Sequence, residues 1–182
     1  MVLCSGKEVT AGMKIRNMVR CGLFAALLAL CAWLSVPAGS TVFTLQTFGV
    51  FLTLLVLGGK LGTASIGVYI LLGAVGLPVF SGFRGGLGVL LGATGGYIWG
   101  FLGTALVYGL TEKLWKKPIL SCVLGLLVCY GVGTAWLAGV YAPGVGLWAV
   151  LLQGVVPYIL PDGIKLLLAW LLSKRLIKHL RS

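Results

Sequence analysis

Apolar residues run through this chain in long blocks, separated by short polar or glycine-rich connectors. Six blocks stand out, at residues 17–35, 43–58, 61–76, 93–111, 119–139 and 147–173. Apolar runs of about 18–20 residues match the ~30 Å hydrocarbon core of a bilayer. The pattern therefore predicts an all-α integral membrane protein with six transmembrane helices. The third block is short and the last is too long, since at about 1.5 Å per residue it exceeds that core. Pro157 and Pro161 lie inside it, and each removes a backbone donor and invites a kink or a break. A helix restarting at Pro161 is predicted, because proline suits the first turn. Asp162 then falls in that turn, where the helix dipole favours an anion. Residues 1–13 read as a polar N-terminal extension, with Met13 an alternative start, and residues 14–182 as one transmembrane domain. No cleavable signal peptide is expected, because the first apolar run is too long and lacks a clear cleavage site.

Composition agrees. The chain is 59% hydrophobic and only 9% charged, with a mean hydropathy of +1.10. So little polar sequence leaves no room for a separate soluble domain. The net charge of +11 is explained by orientation. Lys7, Lys14, Arg16 and Arg20 precede the first span, Lys60 lies between the second and third, Lys113, Lys116 and Lys117 separate the fourth and fifth, and Lys174, Arg175, Lys178 and Arg181 follow the sixth. These twelve fall on one side, against Arg84 alone on the other. The positive-inside rule then places both termini in the cytoplasm of a multi-pass protein of the cell membrane. The basic charge meets anionic headgroups, and no nucleic-acid partner is needed.

Within the most apolar stretch sit one acid and one base, Asp162 and Lys165. A charge at bilayer depth costs roughly 2.5–3.5 kcal/mol on insertion scales, so such a pair points to a function. At i and i+3 of a helix both can face one cavity. Replacing a buried pair with apolar residues is often neutral or stabilising, which makes stability a poor reason to keep it.

Other features carry weaker signals. Gly82-Phe-Arg-Gly-Gly-Leu-Gly88 and Gly92-Ala-Thr-Gly-Gly-Tyr97 are denser in glycine than packing requires, and the first is a connector. The first lacks the closing GK[ST] of a phosphate loop. Its Arg84 is the one charge in an outer loop, and suits capture of a carboxylate or is simply solvated. Gln46, in the uncharged first outer loop, serves a ligand or caps the second span. Tyr97 and Tyr158 are among the aromatics near this face, where interfacial belts enrich tyrosine regardless of function. Ala25 and Ala29 form a small-xxx-small face, fit for internal packing or for docking another membrane subunit. The five cysteines, Cys4, Cys21, Cys31, Cys122 and Cys129, contain no CxxC and read as small buried hydrophobes. His179 is the single histidine, so no metal site or cofactor is expected.

Four segments recur together, and in this order, in a known family. They are Phe43-Thr-Leu-Gln-Thr-Phe-Gly49, Leu72-Gly-Ala-Val-Gly-Leu-Pro-Val-Phe80, Leu91-Gly-Ala-Thr-Gly-Gly-Tyr97 and Pro161-Asp-Gly-Ile-Lys165. Over residues 14–175 the chain resembles the BioY family, the biotin-specific substrate-binding S components of energy-coupling factor (ECF) transporters. It departs at Ala93, where the family usually has proline, and the N-terminal extension is expected to lie outside the match. The resemblance implies a six-helix S-component fold. It implies a transmembrane coupling protein and two cytoplasmic ATPases as partners, with Ala25 and Ala29 docking the coupling protein. It also implies that Asp162 and Lys165 line the biotin site.

The chemistry of biotin is compatible. An ionised Asp162 can accept from the ureido N–H groups, Lys165 can donate to the ureido carbonyl, and Arg84 or glycine-loop N–H groups can hold the carboxylate. With no ATP-binding motif in the chain, energy has to come from partners. Two other readings compete. One is a stand-alone carrier of biotin or a small carboxylate, driven by the proton gradient through Asp162. The other is an intramembrane enzyme with Asp162 as acid and Lys165 as nucleophile.

Overall fold

The structure, a computed structural model, describes the backbone of residues 5–38, 41–141, 144 and 146–181, and the side chains of 14–36, 42–140, 144, 146 and 148–178. Helix α1 spans Ser5–Trp33. Strands β1, Ser35–Ala38, and β2, Thr41–Thr44, follow. Helix α2 spans Gln46–Ala74, and a short α3, Leu87–Leu90, precedes α4, Gly95–Trp115. Helix α5, Pro118–Trp136, continues into a π turn at Leu137–Tyr141. Helices α6, Leu147–Gly154, and α7, Val156–Arg181, complete the described chain.

The predicted second and third spans both lie in α2, which reverses direction at Gly58. That residue has φ 74° and ψ 176°, a conformation open to glycine and strained for other residues. Gln46 and Tyr69 share a hydrogen bond across 23 residues, about 34 Å along a straight helix. A Cβ at Gly62 would press on the Leu54 backbone. The two arms therefore lie side by side. Glu112, from α4, accepts the Gly59 N–H at 2.9 Å and so satisfies one of the orphan donors that open the second arm.

The same contact brings the Gly58 turn to the α4–α5 connection. Cys21 Sγ, near the middle of α1, lies 3.6 Å from the Leu61 carbonyl. Lys60, Lys113, Lys116 and Lys117 are exposed around this end. Four described helical stretches, Lys14–Trp33, Gln46–Ala74, Pro118–Val140 and Trp148–Lys178, are long and apolar enough to cross a membrane. Leucine and valine side chains exposed along them face lipid in such a protein, and the chain is a multi-pass membrane protein.

Small residues set the helix contacts. A Cβ at Gly100 would meet Cys129, and one at Gly125 would meet Thr104, so α4 and α5 approach at backbone distance. Cys31, Cys122 and Cys129 are buried, Cys21 is half-buried, and all four are free thiols; Cys4 lies outside the described residues, as does the His179 side chain.

The structure corrects four expectations. The fold is not purely helical, because the segment between α1 and α2 forms an antiparallel hairpin, pairing Ser35 with Thr44 and Val36 with Phe43. Its second strand, Thr-Val-Phe-Thr, is β-branched and aromatic, which suits an extended backbone. The last helix restarts at Val156, leaving Pro157 in its first turn and Pro161 inside it. Asp162 is therefore six residues past the helix start, too deep for the terminal dipole, whose effect fades within the first turn. Ala25 and Ala29 are only 2% and 6% exposed. Their face packs within the chain, where Leu28 and Cys31 meet Gly49 of α2.

Candidate functional site

The acid and base from the last apolar block do come together. Lys165 Nζ donates to Asp162 Oδ1 at 2.7 Å, one helical turn apart on α7. Asp162 is 1% exposed and Lys165 9%. Thr47, in the first turn of α2, donates its hydroxyl to the same Oδ1 at 2.8 Å and accepts from Lys165 Nζ at 3.1 Å. Tyr130, on α5, donates its hydroxyl to Asp162 Oδ2 at 2.7 Å. Three helices thus meet on one carboxylate. Burying an ion pair is tolerable only when its remaining hydrogen-bonding capacity is also met. Here three of the roughly four acceptor positions of the carboxylate are filled by protein donors.

Lys165 also forms part of the wall of a cavity of about 410 Å³, with Trp33, Leu34, Ser35, Val36, Phe43, Thr44 and Leu45. This volume falls in the range of small-molecule pockets, and the combination of apolar walls with a few convergent polar groups is their usual design. An ammonium has three N–H donors, and two are used on Asp162 and Thr47. The cavity therefore meets a largely apolar surface with one buried cationic donor.

The hairpin forms one side of this cavity and is pinned at two places. Tyr158, near the start of α7, donates its hydroxyl to the Val42 carbonyl at 3.2 Å, and its ring lies 5.0 Å from that of Phe43. At the other side the Trp33 indole donates to the Pro78 carbonyl at 2.8 Å and stacks on Phe83 at 4.9 Å. The glycine-rich connector between α2 and α3 is thereby tied to the end of α1, and its Gly86 N–H bonds the Gly73 carbonyl at 2.7 Å.

The other sequence-predicted residues divide. Gln46 is buried between Thr47 and the cavity residue Leu45, and donates to the Tyr69 hydroxyl at 2.7 Å. Tyr69 in turn donates to the Val79 carbonyl at 3.3 Å. Arg84 is exposed, donates Nε to the Ser81 carbonyl at 3.2 Å, and is absent from the cavity wall; its neighbour Phe83 is the nearer link. Tyr97 fastens helices, donating its hydroxyl to the Gly154 carbonyl at 3.1 Å with its ring against Gly133.

Sequence reasoning missed Thr47, Tyr130 and Trp33. Thr47 stood inside a quoted segment, but a threonine beside a helix start reads as local capping. Tyr130 and Trp33 lie far from the pair in sequence, and only the packing of α1, α2, α5 and α7 brings them in. Among the described residues no group of three or more potential metal ligands assembles.

A family model described as the BioY family matches residues 6–182, beginning inside the segment expected to fall outside the match. Over 169 residues the chain is 42% identical to the Biotin transporter BioY of Thermotoga maritima, covering 90% of this chain and 97% of that protein. It is 43% identical over 164 residues to the Probable biotin transporter BioY of Pyrococcus horikoshii, covering 90% and 98%. The fold is similar to a solved crystal structure of the S-component for biotin from an ECF-type ABC transporter, with TM-score 0.82, 27% identity, and coverage of 92% and 93% of the two chains.

Proposed function

This chain belongs to the BioY family, and we propose that it is the biotin-binding S component of an ATP-driven ECF uptake transporter, taking biotin from the extracytoplasmic side. The observation that carries this reading is the buried Asp162–Lys165 pair, whose lysine lines a largely apolar cavity. Biotin is an apolar fused bicycle with a ureido group at one end and a carboxylate on a flexible tail. The ureido carbonyl is an acceptor for the free Lys165 donor. Asp162, which is not among the residues lining the cavity, holds Lys165 in place for that contact. Trp33 and Phe43 cover the rings, Gln46 and Tyr158 hold the surrounding frame, and Arg84 or glycine-loop N–H groups hold the carboxylate.

The six predicted spans, counting α2 as two and α6 with α7 as one, give both termini a cytoplasmic location. The basic end around Lys60, Lys113 and Lys116 then faces inward against anionic lipid. A coupling protein and two ATPases supply the energy. With Ala25 and Ala29 buried, the docking surface moves to the outward face of α1, where Gly22 and Ala26 are exposed four residues apart.

The related proteins are transporters, which sets the enzyme reading aside. No specific observation favours the proton-driven carrier, since Asp162 is held by three donors and Glu112 sits at the basic end on Gly59. Calorimetry on the detergent-purified chain tests the proposal, with biotin, desthiobiotin and a biotin amide. Tight binding of biotin that weakens in the amide is expected, placing a cation at the tail. A folded chain that binds none of them would remove the vitamin from the reading.

A further inference from the structure

The Asp162 carboxylate is shared unevenly. Oδ1 takes Lys165 and Thr47, from its own helix and from α2, whereas Oδ2 takes the Tyr130 hydroxyl of α5. We propose that Tyr130 is a positioning residue for ligand capture: its hydroxyl fixes the orientation of the Asp162 carboxylate and so presents the Lys165 ammonium to the cavity. The inference rests on the biotin-binding reading above.

Three observations support it. The terminal torsion of an aspartate is broad and nearly two-fold, so its partners must set which oxygen faces the lysine. Tyr130 is suited to this task because the residue before it is locked. Cys129 packs against Gly100 of α4 so closely that a Cβ there would meet its Cα and Sγ, and its Sγ lies 3.6 Å from the Tyr97 carbonyl. The α4–α5 pair therefore supplies a fixed post from which one hydroxyl reaches α7. Lys165, finally, is the member of the network that belongs to the cavity wall. A rotated carboxylate would draw its ammonium along and misplace the one free donor. Tyr130 is not among the residues lining the cavity, and its hydroxyl reaches the network through Asp162.

The test is a double-mutant cycle on the full chain, read by biotin calorimetry. Tyr130→Phe keeps the ring and removes the hydroxyl. It is expected to raise the biotin Kd about ten-fold, as for loss of one hydrogen bond to a charged group. In an Asp162→Asn background the same change is expected to alter Kd by less than about two-fold, because coupled residues are not additive. In the infrared spectrum the carboxylate band absent from Asp162→Asn is expected to shift in Tyr130→Phe, a change that a merely space-filling ring would not cause. Biotin binding by Tyr130→Phe at the original Kd, or an equal loss in both backgrounds, overturns the proposal. If Tyr130→Phe does not survive detergent, the comparison moves to lipid nanodiscs, and a chain folded in neither assigns Tyr130 a structural role instead. If the original chain itself binds no biotin, the underlying reading fails, which is a separate outcome.

Discussion

A carboxylate 1% exposed and held by Lys165, Thr47 and Tyr130 can be kept for stability or for ligand capture, and substitution separates the two. Asp162→Asn removes the charge and leaves Lys165 buried without a counter-ion. Breaking a buried pair from one side typically costs 3–5 kcal/mol, whereas replacing both members with apolar groups is often neutral or better. The single variant is therefore expected to melt well below the original chain, and to bind biotin about 1.5–3 kcal/mol more weakly if it remains folded. Asp162→Leu combined with Lys165→Met is expected to restore the melting temperature while biotin binding stays lost. Thermal melting and calorimetry on the same samples decide it; a double variant as unstable as the single one would make the pair structural. The pair was legible in the sequence because charge is rare in apolar blocks. Its neighbours Thr47 and Tyr130 were not, because a hydroxyl shows no preference for depth until the partner across the helix interface is known.

Helix α7 and the hairpin β1–β2 meet through Tyr158, whose hydroxyl bonds the Val42 carbonyl only four residues before Asp162. The hairpin supplies Ser35, Val36, Phe43 and Thr44 to the cavity, so its position limits how readily a ligand leaves. Tyr158→Phe removes one neutral hydrogen bond, worth about 0.5–1.5 kcal/mol, and keeps the ring against Phe43. Biotin dissociation measured by stopped flow is expected to quicken roughly two- to ten-fold, with little change in melting temperature; an unchanged off-rate would mean that the hairpin does not restrain the ligand. Element boundaries were readable where physics is local. Lys113, Lys116 and Lys117 marked the connection between two spans, and α5 begins there at Pro118, where proline suits the first turn. Two elements escaped. The hairpin Ser35–Thr44 looked like a loop because each strand has only four residues, and the restart at Val156 rather than Pro161 depended on where α6 runs out at Gly154. The reversal at Gly58 was predicted as a boundary, but its single-residue tightness follows from the positive φ and from Glu112 closing the turn.

For the whole molecule, the proposed S-component role calls for a surface that meets a coupling partner, and burial shows which face of α1 is available. Ala25 and Ala29 turn inward, while Gly22 has nothing within 4 Å of its Cβ position and Ala26 is exposed with it. The small-residue motif was legible, but its direction was not, because AxxxA reads alike whether it packs on the same chain or on another. The two faces predict opposite results for the same change of size. Ala25→Leu overpacks the α1–α2 contact beside Leu28 and is expected to cost about 1–3 kcal/mol of stability, seen as a lower melting temperature of the isolated chain. Gly22→Leu meets no neighbour, so folding and biotin affinity are expected to stay within about two-fold while co-purification with the coupling protein and ATP-dependent uptake fall. Loss of assembly without loss of binding would place the partner on the Gly22/Ala26 face. Full assembly by Gly22→Leu would move it to another exposed surface, and uptake that persists without ATPases would return the proton-driven carrier to consideration.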